Sequence, residues 1–239
     1  MKPLKVLNLY AGIGGNRKYW QDVEVTAVEY DPKIAAVYKE FFPDDTVIVA
    51  DAHQYLLEHY KEYENGFIWG SPPCPTHSGV NNFLNAQGVI RYPDMSLWQE
   101  IIFLQHFCKG KFCIENVKSY YEPFLKPQIS GRHYFWANFK IPLLRTSPTI
   151  GKMCGKNQTQ NRNKLQSDIG RFGPVKSLNG MRTEGRRDSE ILDGLSTDAI
   201  KLSRKMKNNC CHPDIGLAIL NAARGIIADN SVKTGTLFS

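Results

Sequence analysis

A short apolar run that ends in a cluster of glycines constrains this chain more than any other feature. Lys5–Leu9 reads as a strand and leads directly into Ala11-Gly12-Ile13-Gly14-Gly15. Glycines there let the backbone approach a ligand and open a helix whose N–H groups face it. A tight strand–helix turn with no ligand has the same spelling. No Lys-Ser or Lys-Thr follows, which excludes a nucleoside-triphosphate loop. Further strands read at Val23–Glu29, Thr46–Ala50, Gly66–Gly70 and Phe112–Glu115, with helical stretches Pro32–Phe42, His53–Tyr63 and Leu97–Cys108 between them. An aromatic strand follows at Tyr134–Phe139, and the apolar helix Ile215–Ala228 packs back near the C-terminus. This alternation, with short connections, implies an α/β fold: a doubly wound, mainly parallel sheet covered on both faces. Such sheets bind ligands at the carboxyl ends of their strands. Gly12, Glu29, Asp51, Cys74 and Glu115 all fall there.

Charge divides the chain. The net charge is +7 in 239 residues, yet residues 1–150 carry 15 basic and 15 acidic side chains. Residues 151–210 carry 13 basic and 6 acidic, and residues 211–239 balance at 2 and 2. The basic stretch is also rich in Asn, Gln, Ser and Gly, with sparse apolar residues of no sustained period. Two readings fit it: a solvated surface insert, or a polyanion-binding segment in which Lys and Arg neutralise phosphates. The apolar runs are far too short to span a membrane. The N-terminal MKPLKVLNLY leads into a strand without a small-residue cleavage site, so no signal peptide is read. Six cysteines without a CxxC pair fit a reduced, cytoplasmic protein. Cys210-Cys211-His212 lacks a second ligand pair, so no metal is expected.

Glu29 closes the second strand, where a carboxylate can accept both ribose hydroxyls of a nucleoside cofactor. Asp51 closes the third and could take an adenine amino group, although either residue alone reads equally as a helix cap. Together with the glycines they outline an adenosine-shaped site. Ser71-Pro72-Pro73-Cys74-Pro75 holds a thiol on a rigid loop after a strand. A nucleophile needs such preorganisation, with its pKa lowered by nearby positive charge or a helix start. The alternative is a buried structural cysteine, and His77 reads as a surface residue rather than a base. Glu115-Asn116 places a carboxylate and an amide at the end of a buried strand. A buried Glu with a raised pKa can protonate a heterocycle; pairing with a neighbouring Arg is the plainer use.

The ordered set resembles the cytosine-5 DNA methyltransferase family, as a small single-chain member of phage or bacterial type. LNLYAGIGG resembles the family's first motif, which binds S-adenosylmethionine, and GSPPCPTHS its Pro-Cys catalytic loop. IENV resembles the Glu-Asn-Val motif, GRHYFWANF the Arg-rich strand that follows, and NNCCHPDIGLAI the last motif. The resemblance implies a class I, Rossmann-like S-adenosylmethionine-dependent methyltransferase. Residues 1–145 would form the catalytic domain, 146–205 a short basic target-recognition region, and 206–239 a segment packing back on the first. It implies cofactor contacts from Tyr10, Ala11, Gly12, Ile13, Gly14, Gly15, Glu29, Tyr30, Asp51, Ala52, Pro72 and Asn209. Arg162, Lys164, Arg171, Arg182, Arg186 and Arg187 would contact nucleic acid.

The implied reaction starts with Cys74 thiolate adding to cytosine C6 while Glu115 protonates or hydrogen-bonds N3. C5 then takes the methyl group from S-adenosylmethionine, leaving S-adenosylhomocysteine. A base removes the C5 proton and Cys74 departs. Asn116 would shape the loop around Pro73 and Cys74, and the target base must leave its stack to reach the pocket. Four departures from the family pattern stand out: Asn8 and Tyr10 in the first motif, Pro75 after the cysteine, and Gly131-Arg132-His133 for Arg-x-Arg. Either Arg132 or His133 would hold the cytosine. The implied partner is double-stranded DNA, with a cognate restriction enzyme as a further candidate. Methylation of tRNA, transfer of another alkyl group, and a catalytically silent DNA-binding subunit are the alternatives.

Overall fold

A computed structural model describes residues 2–143 and 210–226. All of them belong to one of two compact units into which the chain divides. Seven strands form a single sheet: β1 Leu4–Leu9, β2 Val23–Glu29, β3 Thr46–Val49, β4 Phe67–Gly70, β5 Lys111–Val117, β6 Gln128–Ser130 and β7 His133–Ala137. The helices are α1 Pro32–Phe41, α2 Ala52–His59, α3 Val80–Ala86, α4 Ser96–Phe107 and α5 Pro213–Ala223, with a 3₁₀ turn at Tyr60–Tyr63. The strand order is β3-β2-β1-β4-β5-β7-β6. β1 to β5 pair in parallel, and only β7 runs against its neighbours. This is the sheet of class I S-adenosylmethionine-dependent methyltransferases, as the sequence implies.

Central strands of such a sheet are buried on both faces and lose polar alternation. β4, Phe-Ile-Trp-Gly, is buried at every position. Side chains still alternate between two cores. Leu7, Leu9, Ile68, Phe112 and Ile114 meet α2 and α4 through Leu56, Leu97, Ile101 and Leu104. Val6, Phe67, Trp69 and Cys113 point the other way, onto Ile219 and Leu220 of α5. Tyr38 of α1 packs with Ala11 and Ala27.

Three differences from the sequence reading have physical reasons. No regular helix follows the glycines; residues 12–19 form successive turns, in which Arg17 N–H donates to the Gly14 carbonyl (3.0 Å) and Trp20 N–H to the Arg17 carbonyl (3.0 Å). Gly14 sits at φ +83°, a left-handed conformation that starts no helix. The space beside these turns is taken by α5. A Cβ on Gly15 would collide with Cys210 and the Cys211 carbonyl, and one on Gly216 with the Asn16 backbone. Second, the aromatic strand is shorter than expected and reversed. It is the return arm of a hairpin in which Ser130 faces His133 across Gly131-Arg132, with Gly131 at φ +58°. A two-residue turn of this kind suits a left-handed glycine, and the three-residue β6 after Pro127 is too short to show a period. Third, α3 arises from an Asn-rich segment to which the sequence reading assigned no element; Asn81 and Leu84 are its buried face.

Remote ties hold the glycine turn from its far side. The Arg17 guanidinium meets the buried Asp45 carboxylate at 2.8 and 3.0 Å, and Tyr38 O–H donates to the same group at 2.8 Å. Arg224, beyond α5, donates to the Gln21 and Asp22 carbonyls at 2.7 and 2.8 Å. Replacing Gly216 with Ala forces α5 off the Asn16 backbone. The expected loss of stability is about 1–3 kcal/mol, read as a lower denaturation midpoint; an unshifted midpoint would show that α5 is not seated on the turn.

Candidate active site

The cofactor side of the site begins where β1 ends. Tyr10 adopts φ +56° and Gly12 φ +58°, so the chain turns sharply across the strand ends. Gly12 N–H donates to Glu29 Oε2 at 2.9 Å, and Asp31 N–H to Glu29 Oε1 at 3.0 Å. Each carboxylate oxygen keeps a further lone pair, enough for two vicinal hydroxyls. A Cβ on Gly12 would meet nothing within 4 Å, so the turn is open on this side although Gly14 and Gly15 are packed tight on the other. Tyr30 is 75% exposed beside Glu29. Asp51 caps α2, accepting from Gln54 N–H at 2.9 Å, and its neighbour Ala52 is buried. A nucleoside bearing two ribose hydroxyls and an aromatic base fits this edge. Ala11, Ile13, Gly14 and Gly15 are buried in the turn itself, and serve as backbone rather than as side-chain contacts.

Sequence reading missed what stands behind Tyr10. Its hydroxyl donates to Glu100 Oε1 on α4, which also meets His53 Nδ1 at 3.0 Å. Glu100 is 1% exposed and burial raises its pKa. Burial, with the Glu100 charge beside it, also pushes the Tyr10 phenol well above its ordinary range. The signal was present: Glu100 interrupts the apolar stripe Leu97, Ile101, Leu104 of an amphipathic helix.

The second half of the site lies across β4 and β5. Pro72 is buried and Cys74 half-buried in the loop after β4. Asn116, 2% exposed, donates from Nδ2 to the Pro72 carbonyl at 3.1 Å, while its Oδ1 accepts from Val117 N–H at 2.9 Å. Asn81 of α3 donates to the Pro75 carbonyl at 2.8 Å. The loop is thus fastened on both sides of Cys74. Glu115 lies two residues inside the C-terminal end of β5, not at its tip. Burial raises its pKa, opposed by His133 and by a hydrogen bond from Ser71, whose hydroxyl accepts from Trp69 Nε1–H at 2.7 Å.

Of the two candidates beside Glu115, the structure brings His133 to it: Nε2 stands 3.5 Å from Oε1, whereas Arg132 is exposed in the hairpin turn. Cys74 departs from the expectation of a depressed thiol pKa. Burial, then the Glu115 charge, pushes it up, and no cation is among the causes. His77 is also not on the surface; it is 1% exposed. Asn209, Arg162, Lys164, Arg171, Arg182, Arg186 and Arg187 lie outside the described residues. Among the described residues no helix is long and apolar enough to cross a membrane, and no group of three His, Cys, Asp or Glu could hold a metal.

The model of the family described as C-5 cytosine-specific DNA methylase matches residues 4–123, half of the chain. The chain belongs to that family. S-adenosylmethionine is the cofactor that the cradle around Gly12 and Glu29 fits. A tRNA (cytosine(38)-C(5))-methyltransferase of Spodoptera frugiperda is 29% identical over 86 residues, 34% of this chain and 26% of the relative. The chain therefore matches about a quarter of that relative's length. The crystal structure of a Spodoptera frugiperda DNMT2 mutant is 28% identical at a TM-score of 0.35, covering 48% of this chain and 36% of that one. The Entamoeba histolytica methyltransferase EhMeth is 17% identical at a TM-score of 0.32, covering 49% and 39%.

The raised pKa of Glu115 has a measurable consequence. A buried carboxyl favours its neutral form, so the folded state binds its proton to higher pH than the unfolded chain does. That contribution is fully present below the unfolded-state pKa and is lost as pH rises through the folded-state value. In melts from about pH 4.5 to 8, the parent should lose stability relative to Glu115→Gln as pH rises. A constant difference between the two would show that Glu115 is not buried as described.

Proposed function

We propose that the chain methylates C5 of cytosine in a polynucleotide, using S-adenosylmethionine and a covalent Cys74–C6 intermediate. The observation that carries this reading is the Asn116–Pro72 hydrogen bond, which fastens the Cys74 loop beside the strand that bears Glu115. Cytosine C5 is too weak a nucleophile to attack a sulfonium methyl unaided. Thiolate addition at C6, with N3 protonated or hydrogen-bonded, delivers an electron pair to C5 as an enamine. The bound cofactor supplies an electrophilic methyl group and leaves as the thioether. Loss of the C5 proton to a base then expels the Cys74 thiolate and restores the C5–C6 double bond.

The two raised pKa values are compatible with these roles because they are linked. A charged Glu115 keeps the Cys74 proton on, while a neutral Glu115 removes that penalty. The reactive state holds thiolate and carboxylic acid together, one negative charge in all, with the acid proton facing the heterocycle. His133, 3.5 Å from Glu115, is placed to orient that carboxyl or to touch the base. Glu29 and the Gly12 turn hold the donor's ribose, Tyr30 and Asp51 flank its adenine, and the basic segment binds phosphates.

The polynucleotide has two candidates. The family description points to DNA, in keeping with the sequence reading. The curated relative, a tRNA methyltransferase, tilts the balance slightly towards RNA. Incubating the protein with methyl-labelled S-adenosylmethionine and either duplex DNA or tRNA, followed by nucleoside mass analysis, distinguishes them. Labelled 5-methylcytosine is expected from one of the two. Cys74→Ala should lower the yield about a thousandfold or more, and Glu115→Gln about 10²–10⁴-fold. A Cys74→Ala protein that still methylates would end the covalent reading.

A further inference from the structure

The prolines before Cys74 stiffen one side of the nucleophile loop, but the chain beyond it, Thr76-His77-Ser78, has no such restraint in its covalent structure. Its restraint is a set of hydrogen bonds converging on His77. The Cys74 carbonyl accepts from both His77 N–H and Ser78 N–H at 3.0 Å, which closes a turn directly on the cysteine. The His77 carbonyl accepts from Tyr120 N–H at 3.0 Å, and Ser78 pairs with Ser119 in an isolated antiparallel bridge. The imidazole is buried, with Nδ1 2.6 Å from the Tyr121 hydroxyl and the two rings 6.0 Å apart. Tyr121 packs in turn on Trp98 of α4. It lies four residues beyond Val117, the last residue of the strand that carries Glu115.

We infer that His77 is a positioning residue, tying the Cys74 loop through the Tyr121 hydroxyl to the segment that leaves β5. An apolar ring would fill the same space more cheaply. Nε2 of His77 is buried with no hydrogen-bond partner among the described residues, and an unsatisfied buried polar group costs about 1–3 kcal/mol. What the imidazole supplies and an apolar ring cannot is the bond to Tyr121. Burial also lowers the basicity of His77, opposed by Asp94 across the loop, so the tie is made by a neutral ring. Asp94 N–H donates to Thr76 Oγ1 at 3.1 Å, which adds a second fastening from the start of α4. Cys74 and Glu115 are thereby held at a fixed separation from both ends of the loop, through Asn116 before the cysteine and His77 after it.

The catalytic meaning of this tie rests on the function proposed above, but the tie itself can be tested without any polynucleotide. The probe is iodoacetamide, with alkylation of each cysteine followed by peptide mass spectrometry. Removing the tie in His77→Leu or Tyr121→Phe frees the loop, exposes the thiol and moves it from Glu115. Cys74 alkylation should then speed up by about five- to tenfold, the scale of one net hydrogen bond. His77→Asn, whose amide can present either an acceptor or a donor at the place of Nδ1, should return the rate to within about twofold of the parent. Cys108, half-buried after α4 and bonded to the Gly110 carbonyl, should keep its parental rate in every variant. Unchanged Cys74 rates in Tyr121→Phe would overturn the inference. So would a Cys108 rate that rises in step with Cys74, or an Asn variant no slower than the Leu variant. Failure to methylate DNA or tRNA would leave these rates as they are, so the two claims fail separately.

Discussion

One amide fastens the Cys74 loop beside the strand that carries Glu115. Asn116 spends its N–H group on the Pro72 carbonyl and its oxygen on the N–H of Val117. The bond to Pro72 is buried, where an unmade hydrogen bond is expensive and a made one is rigid. β4 and β5 are parallel neighbours, so the loop leaving one strand and the carboxylate near the end of the other already lie at the same edge of the sheet. The amide converts that neighbourhood into a fixed relation. Without it, the loop would keep its fastenings only on the far side of Cys74, through Asn81 and His77.

The neighbouring strand end, after β1, follows the same logic with different chemistry. The glycine turn is packed on one side by Cys210, Cys211 and the α1 aromatics, and left open on the other at Gly12. Glu29 braces the open side by accepting the Gly12 N–H group. A backbone so confined presents its amides and the Glu29 carboxylate in a preset arrangement, so binding a nucleoside there orders little that is not ordered already. Tyr10 ties the turn to the helix behind it, since its hydroxyl reaches Glu100 on α4.

Much of this was legible in the residues. Strand ends are marked by apolar runs stopping at Gly12, Glu29, Asp51 and Cys74, because a parallel sheet puts its polar groups where its strands stop. The pairing of the Pro-rich loop with the Asn116 amide comes from the family resemblance, since neither residue type announces the other on its own. Less could be read where tertiary packing decides. The glycine turn opens no helix because α5, some two hundred residues later, fills that space, and no local pattern announces it. The reversal of β7 depends on a two-residue turn at Gly131-Arg132, whose flanking strand is too short for periodicity. His77 looked like a surface residue since histidines usually are; its burial is set by Tyr121, 44 positions away. The Cys74 thiol was expected to be acidified by positive charge or a helix start. Burial and the Glu115 charge push it up instead.

The central claim is that Cys74 bonds to C6 of a cytosine during turnover. A polynucleotide containing 5-fluorocytosine tests it directly, because fluorine at C5 cannot leave as a proton leaves and the thiolate cannot then be expelled. Intact-mass and peptide analysis after incubation with S-adenosylmethionine and either fluorinated DNA or fluorinated tRNA should show one adduct per chain, located on Cys74 and absent when the cofactor is withheld. Noncovalent binding alone with both polynucleotides, or an adduct on any other cysteine, would contradict the account.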